Sequence, residues 1–265
     1  MHALIDGDIF AYEFGNAKGT SGEQPLPWPF IVSRLDARIA NIFSAVGAES
    51  SQIYLSGRSN FRVDVATIKP YKGHRPQEKP HWWEKIRDFL VYHRGAIVID
   101  GMEADDILGI EQVNDIYYDM DHPYRSTVIC SRDKDLHMIP GWHYTWGAGK
   151  QEEQPLWWQN ELDAIRFFYT QLLTGDSTDN IPGLYGVGKS SSLVKYISTC
   201  SSELEMYAHV REQYEKRFGS YWNQFLIENA RLLWILREDG EDVKDRLELL
   251  ENKHNEELSE SILPW

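Results

Sequence analysis

The sequence predicts an α/β fold: a mostly parallel central sheet flanked by helices, followed by a helical C-terminal part. Two patterns carry this reading. Up to about residue 158, short apolar runs alternate with stretches of helical periodicity, the rhythm of strands joined through crossover helices. Beyond Gln159 only helical periods remain. The composition is compatible with it. The 265 residues, 42% apolar and 26% charged, suffice for one large domain or two small ones with an ordinary core, and they exclude a chain disordered throughout.

Taken in order, Ala3-Leu4-Ile5 reads as a buried strand that ends in a turn at Asp6-Gly7-Asp8. Asn16 to Pro29, with Gly19, Gly22, Pro25, Pro27 and Pro29, reads as a loop. Ile31, Leu35, Ile39, Ile42, Phe43 and Val46 recur at helical spacing. Gln52 to Leu55 is strand-like. Trp82 to Tyr92 is helical, and Trp82, Trp83, Ile86, Phe89 and Leu90 share one face, which favours core packing over base stacking for the two tryptophans. Ala96 to Ile99 is a strand, Ala104 to Ile116 a helix opening on Asp105 and Asp106, and Ser126 to Cys130 a third clear strand. Strands alternating with helices imply a sheet covered on both faces, with right-handed connections. Glu161 to Leu173, Ser190 to Ile197, Glu203 to Phe218 and Trp222 to Leu236 then read as helices. The last stretch, with Glu256, Glu257 and Glu260, reads as a solvated acidic tail. The expected division is an α/β core over 1–158 and a helical part over 159–265, packed together rather than separated by a linker.

The net charge of −14 argues against nucleic acid as a partner only until its distribution is seen. Glu238 to the end holds 10 acidic and 3 basic residues, whereas Ser56 to Gly95 holds 9 Lys/Arg against 4 Asp/Glu. The two cysteines, Cys130 and Cys200, suggest a reducing compartment rather than a disulfide scaffold. No apolar run approaches the roughly 20 residues of a membrane helix, and no signal peptide is visible. A cytoplasmic protein is expected, in the host cytoplasm if the chain is viral, with no membrane partner.

Four acidic clusters carry the chemistry: Asp6 and Asp8; Glu103, Asp105 and Asp106; Asp133 and Asp135; Asp176 and Asp179. Singly, each has a plain structural explanation as a helix-dipole partner or turn residue. Jointly, the first three follow strands, and parallel strands would bring them to one sheet edge, where α/β proteins bind ligands. Like charges about 4 Å apart repel by about 4 kcal/mol per pair at an effective dielectric near 20, so such an edge needs cations or bound protons. Oxygen ligands without zinc-type His/Cys spacing suit Mg²⁺ or Mn²⁺. Two such ions form the usual site for displacement at phosphorus. The residues alone therefore point to a metal-dependent phosphodiesterase or phosphatase.

Lys69-Pro70-Tyr71-Lys72-Gly73-His74-Arg75-Pro76 lies in the positive stretch and can meet a phosphodiester through its cations and a base through Tyr71. Gly183-Leu184-Tyr185-Gly186-Val187-Gly188-Lys189-Ser190 has the spacing of a P-loop, but no strand precedes it, and that motif needs one. No nucleotide cofactor is expected. A glycine-rich turn between two helices, holding a DNA phosphate on backbone N–H groups, is the better reading.

These residues resemble the 5′-nuclease superfamily, the flap endonucleases and 5′→3′ exonucleases, most nearly its phage branch, from Leu4 to about Tyr196. Asp6-Gly7 resembles the first metal carboxylate. Tyr71-Lys72-Gly73-His74-Arg75 is similar to the motif at the base of the helical arch, where the cations contact the scissile phosphate and the aromatic stacks near the 5′ end. Glu103-Ala104-Asp105-Asp106 and Ser131-Arg132-Asp133-Lys134-Asp135-Leu136 resemble further metal-ligand motifs. Gly175-Asp176-Ser177-Thr178-Asp179-Asn180-Ile181-Pro182-Gly183, continuing through Gly186, Gly188 and Lys189, resembles the last metal pair and a helix–three-turn–helix near 172–197 that grips duplex DNA, often with K⁺. The resemblance implies a PIN-like core with a short arch near 69–95, since only 27 residues separate Arg75 from Glu103. It implies two divalent ions, Lys72 and Arg75 as catalytic residues, and Tyr71, Gly183, Gly186, Gly188 and Lys189 on DNA.

The function so implied is a Mg²⁺- or Mn²⁺-dependent 5′→3′ exonuclease and structure-specific 5′ flap endonuclease. Its partners would be duplex DNA with a 5′ end, nick or flap, and RNA primers in RNA–DNA hybrids. One departure stands out. Many members carry a metal-binding Asp after the second strand, where this chain has Ser56-Gly57-Arg58-Ser59. Asp8 lies two residues beyond Asp6, on a strand both would face one side, and Asp8 is then expected to supply part of the missing charge. Two rivals remain: a structure-specific DNA-binding protein with an impaired metal site, motivated by that missing acid, and a related PIN-type ribonuclease, which would lack the glycine-rich two-helix element.

Overall fold

The computed structural model describes residues 1–18, 24–75, 78–118 and 127–262. Gly19 and Gly22 of the predicted loop, Pro76 of the basic segment and Ser126 of the third predicted strand lie outside the described residues. In chain order the elements are β1 (His2–Asp6), α1 (Asp8–Gly15), α2 (Trp28–Val46), β2 (Ser50–Asn60), α3 (Phe61–Val65), α4 (Trp83–Arg94), β3 (Ile97–Gly101), α5 (Ala104–Tyr118), β4 (Thr127–Cys130), β5 (Gly141–Thr145) and β6 (Gln154–Gln159). They continue with α6 (Glu161–Thr174), α7 (Ser192–Ile197), α8 (Glu203–Phe218), α9 (Trp222–Leu233) and α10 (Val243–Ile262).

The chain divides into two units. The first comprises Met1–Asn60, Pro76–Gln159 and Ile235–Asp239; the second comprises Phe61–Arg75, Asn160–Trp234 and Gly240–Trp265. The basic segment 69–75, expected in the α/β core at the base of an arch, thus lies in the helical unit, while α4 lies in the first.

The first unit is built on a six-stranded sheet in the order β3-β2-β1-β4-β5-β6 among the described residues. β1 pairs in parallel with β2 and β4, β2 with β3, and β4 with β5; only β6 is antiparallel. The central strands are apolar because both their faces are covered: Leu4, Ile5, Leu55 and Val128 are fully buried. Two expectations fail here. β3 is not buried on both faces, since Ile97 and Val98 at this sheet edge are exposed. And β5 with β6, absent from the sequence reading, extends the sheet through cross-strand aromatic pairs, Trp142 on Trp158 and His143 on Trp157. Trp82 packs as expected for a core residue, its ring against Trp28 and its indole N–H donating to the Leu26 carbonyl at 2.9 Å.

The second unit packs α6, α8, α9 and α10. Tyr214 and Phe168 are buried; the Tyr214 hydroxyl donates to the Leu172 carbonyl at 2.6 Å, and Phe168 meets Trp234 edge-on. The predicted acidic tail is instead α10. Val243, Leu247 and Leu250 recur at helical spacing and are buried, while Arg246 pairs with Glu203 at 2.7 Å. Trp222 to Leu236, read as one helix, breaks after Leu233, where the backbone turns extended at Trp234. Cys130 and Cys200 are both free thiols and buried. No helix of the described residues is long and apolar enough to cross a membrane.

Candidate active site

In the first unit, the parallel pairing of β1 to β4 sends four strand exits to one sheet edge. Asp6 closes β1, Ser56 follows the buried part of β2, Glu103 follows β3, and Ser131 and Asp133 follow β4. Hydrogen bonds join these exits in sequence. The Asp135 N–H donates to Asp133 at 2.9 Å, and the Asp133 N–H donates to the Ser131 hydroxyl at 2.9 Å. That hydroxyl donates to Asp6 Oδ2 at 2.8 Å. Asp6 Oδ1 accepts the Asp8 N–H at 3.2 Å, Asp8 Oδ2 accepts the Ser56 N–H at 2.9 Å, and the Ser56 hydroxyl accepts the Ala104 N–H at 2.9 Å.

Asp6 is the most perturbed group of the edge. Burial first, then the Asp8 charge, pushes its carboxyl from 3.8 up to about 7; Asp133 adds to the rise, while the bonds from Ser131 and the Asp8 N–H oppose it. A desolvated carboxyl flanked by two further carboxylates is a site short of positive charge. That donor set, all hard oxygen, fits a divalent ion. Among the described residues, however, no three His, Cys, Asp or Glu side chains form a ready-made metal cluster. The carboxylates rest instead on local partners: Asp135 on Lys134 at 2.8 Å and Asp8 on Arg87 at 2.5 Å. Asp106 is fully buried and accepts the Glu103 N–H at 3.0 Å and the Leu236 N–H at 3.1 Å, so it fastens the start of α5.

The expectation for Asp8 is corrected in its reason. β1 stops at Asp6 and Asp8 opens α1, so a shared strand face does not apply. Its carboxylate nevertheless reaches the N–H of Ser56, the β2 exit where an acid is missing.

In the second unit, α6 and α7 are joined by successive turns over residues 175–191. Asp176 and Ile181 exchange backbone bonds at 3.0 and 2.8 Å, and Asp176 Oδ1 accepts the Thr178 N–H at 2.6 Å. Gly175 and Gly183 both sit at positive φ, 68° and 56°, with their backbones pressed together; a Cβ on either would run into the other's main chain. Helix α6 and one isolated bridge precede Gly183, so no P-loop strand exists there. Gly186, Gly188 and Lys189 are exposed.

Asp179 gathers the basic segment of the same unit. Its carboxylate accepts the Tyr71 hydroxyl at 2.9 Å, lies 3.6 Å from Lys72 Nζ and forms a close ion pair with Arg75. Lys72 has φ 53°, a left-handed conformation unusual outside glycine, held by its N–H on the Asp179 carbonyl at 3.0 Å. Upstream, Glu228 on α9 accepts the Thr67 and Ile68 N–H groups at 2.8 and 2.7 Å. The basic segment is therefore ordered by bonds on both sides.

The sequence matches no family model and no curated protein. Solved structures do match. The bacteriophage T5 D15 protein crystallised with metal ions has a TM-score of 0.61 at 17% identity, with 99% of each chain covered. A mutant of the T5 5′-exonuclease has a TM-score of 0.59 at 16% identity, covering 97% of this chain and 98% of that one. The catalytic core of Rad2 in complex with a DNA substrate has 0.52 at 17%, covering 97% and 73%. The chain has a PIN-like 5′-nuclease fold.

Within this 5′-nuclease fold, sequence reasoning missed Ser131, Ser56 and Arg87. Ser131 was legible only as the first residue of the Ser131-Arg132-Asp133 run. Arg87 carried no local signal, since its partner Asp8 is 79 residues away.

Proposed function

We propose that the chain is a structure-specific nuclease that cuts phosphodiester bonds at 5′ ends, nicks or flaps of duplex DNA, in the 5′→3′ direction, with Mg²⁺ or Mn²⁺. The observation that carries this reading is Asp6: a buried carboxyl raised to about 7 at the exit of the central parallel strand, flanked by Asp8 and Asp133. A protein that keeps such a charge-starved group has a use for a cation there. The fold agrees, being that of an exonuclease and of a DNA-bound catalytic core.

Asp6, Glu103, Asp105, Asp133 and Asp135 are the residues to hold the metal. When bound, divalent ions supply an activated water and neutralise charge building on the phosphate. Ser131 orients Asp6 and Asp133 by donating to one and accepting from the other. Asp106 positions Glu103 through its backbone N–H. In the helical unit, Lys72 and Arg75 supply cations for backbone phosphates, and Tyr71 a ring for a terminal base. The turns from Gly183 to Lys189 offer N–H groups to duplex phosphates. Contacts of this type are to backbone, so sequence preference is slight and affinity falls steeply with salt.

The test is time-resolved digestion of 5′-labelled nicked, flapped and blunt duplexes, and of an RNA–DNA hybrid, with Mg²⁺ or with chelator. Release of short 5′ products only with the metal supports the reading. The second reading, a DNA-binding protein without cleavage, is favoured by the missing acid after Leu55. Tight structure-dependent binding with every substrate left intact in Mg²⁺ and Mn²⁺ would establish that one instead.

A further inference from the structure

Asp8 does not stand among the carboxylates as one more open ligand. Its Oδ1 is 2.5 Å from Arg87 Nη1, and Arg87 Nη2 donates to the Ser56 carbonyl at 2.5 Å. The same guanidinium lies over the Trp83 ring at 4.7 Å. Arg87 is thus held on three sides: a carboxylate, a carbonyl of the β2 exit and an aromatic face. Its side chain is 13% exposed. The other Asp8 oxygen is used by the Ser56 N–H. A guanidinium stays charged at any working pH and its fork fixes its direction, so this is a permanent, oriented cation.

At Gly57 the β2 exit has no room for a side chain. A Cβ on Gly57 would run into the Asp100 carboxylate, which accepts the Arg58 N–H at 2.7 Å. The edge therefore has an acid contributed from α1 in place of one from β2, and that acid arrives already paired. By contrast, the Asp6 carboxylate on the neighbouring strand accepts two neutral donors, the Ser131 hydroxyl and the Asp8 N–H.

We propose that Arg87 is a built-in cation of the acidic edge: it neutralises Asp8 in place of a divalent ion and leaves the Asp6 and Asp133 side as the place where an ion binds. The proposal rests on the metal-dependent reading above and deepens it, by assigning a fixed charge where two exchangeable ions were expected from the sequence.

The test is Mn²⁺ binding to the purified full chain without DNA, with free Mn²⁺ followed by electron paramagnetic resonance, together with the position of Mn²⁺ in soaked crystals. Wild type is expected to bind one ion at the Asp6 side with the Arg87–Asp8 pair intact. Arg87→Gln is expected to gain one further, weaker ion, and Asp8→Asn in that background to lose it again. Arg87→Lys keeps the charge and is expected to keep the wild-type count. An equal, non-zero count in wild type and Arg87→Gln overturns the proposal. So does a Mn²⁺ ion ligated by Asp8 in wild-type crystals, a result that stands even if Arg87→Gln fails to fold. Wild type that binds no Mn²⁺ and cleaves nothing fails the underlying metal reading as well; wild type that cleaves while Asp8 ligates Mn²⁺ fails only this inference.

Discussion

Asp6, which closes β1 in the sheet unit, and Asp179, in the turns beyond α6 in the helical unit, are both acidic residues near the end of a regular element, and the sequence treats them alike. Their surroundings are opposite. Asp6 is buried beside Asp8 and Asp133, and its carboxyl is pushed up to about 7. Asp179 faces a phenol, a lysine and an arginine from one basic segment. Counting carboxylates cannot separate a site that lacks positive charge from a hub that already has it; only the neighbours do. The first arrangement suits an exchangeable ion. The second suits a structural anchor that orders cations for use elsewhere.

The sharpest way to break this contrast is Asp6→Asn, which is expected to lower cleavage by about 10²–10³-fold or more, measured on a 5′-labelled duplex. The same variant has a stability signature. With its pKa raised from 3.8 to about 7, Asp6 makes the native state bind more protons than the unfolded chain between about pH 4 and 7. Its contribution is present at low pH and is lost as pH rises through that window, by on the order of 4 kcal/mol for a shift of about 3 units. In chelator, denaturant melts of wild type minus Asp6→Asn are expected to show that slope. Mg²⁺ at 100 times its Kd is expected to restore about 2.7 kcal/mol in wild type and little in the variant. A flat difference curve would mean Asp6 is not starved of charge.

Asp179→Asn is the counterpart, with a smaller effect of a different kind. Removing the charge leaves Lys72 and Arg75 facing a neutral amide and weakens the Tyr71 bond. The expected cost is about 1–3 kcal/mol, with faster proteolysis at residues 69–75. Its Mn²⁺ count should match wild type. Should Asp179→Asn instead lose an ion and keep its melt, Asp179 is a ligand and the contrast collapses.

Much of the sheet unit was legible because its central strands are nearly continuous apolar runs, and parallel pairing follows from strands alternating with helices. That alone placed Asp6, Glu103 and Asp133 at one edge. The missed elements share a cause: their signals were read as something else. α1 begins on Asp8, which looks like the end of a turn. β5 and β6 mix large aromatics with polar residues around Gly141 and Pro155, and Trp157 and Trp158 stand side by side in β6. α10 is acidic enough to resemble a tail, although Val243, Leu247 and Leu250 mark its buried stripe. The site's partners were harder still. Arg87 meets Asp8, and Tyr71 meets Asp179, across 79 and 108 positions, distances over which no local pattern reports.

The smallest effects separate an anchored cation from a free-standing one. Lys72 and Lys189 both belong to the helical unit, and the proposed function gives both to phosphates. Lys72 is already engaged with Asp179 and lies over the Tyr71 ring at 4.9 Å, whereas Lys189 is exposed among turns. Each is expected to lower the slope of log affinity against log salt by about 1 when changed to alanine, measured on a nicked duplex. Lys189→Ala should leave the melting curve unchanged. Lys72→Ala should lower it by about 0.5–1 kcal/mol, since an ion pair is lost and the left-handed backbone at φ 53° is kept by a residue no better suited to it. Equal melts for the two variants would mean that the ion pair from Lys72 to Asp179 contributes nothing to stability, and the basic segment would then be ordered by Glu228, Arg75, the Tyr71 hydroxyl and the backbone bond of Lys72.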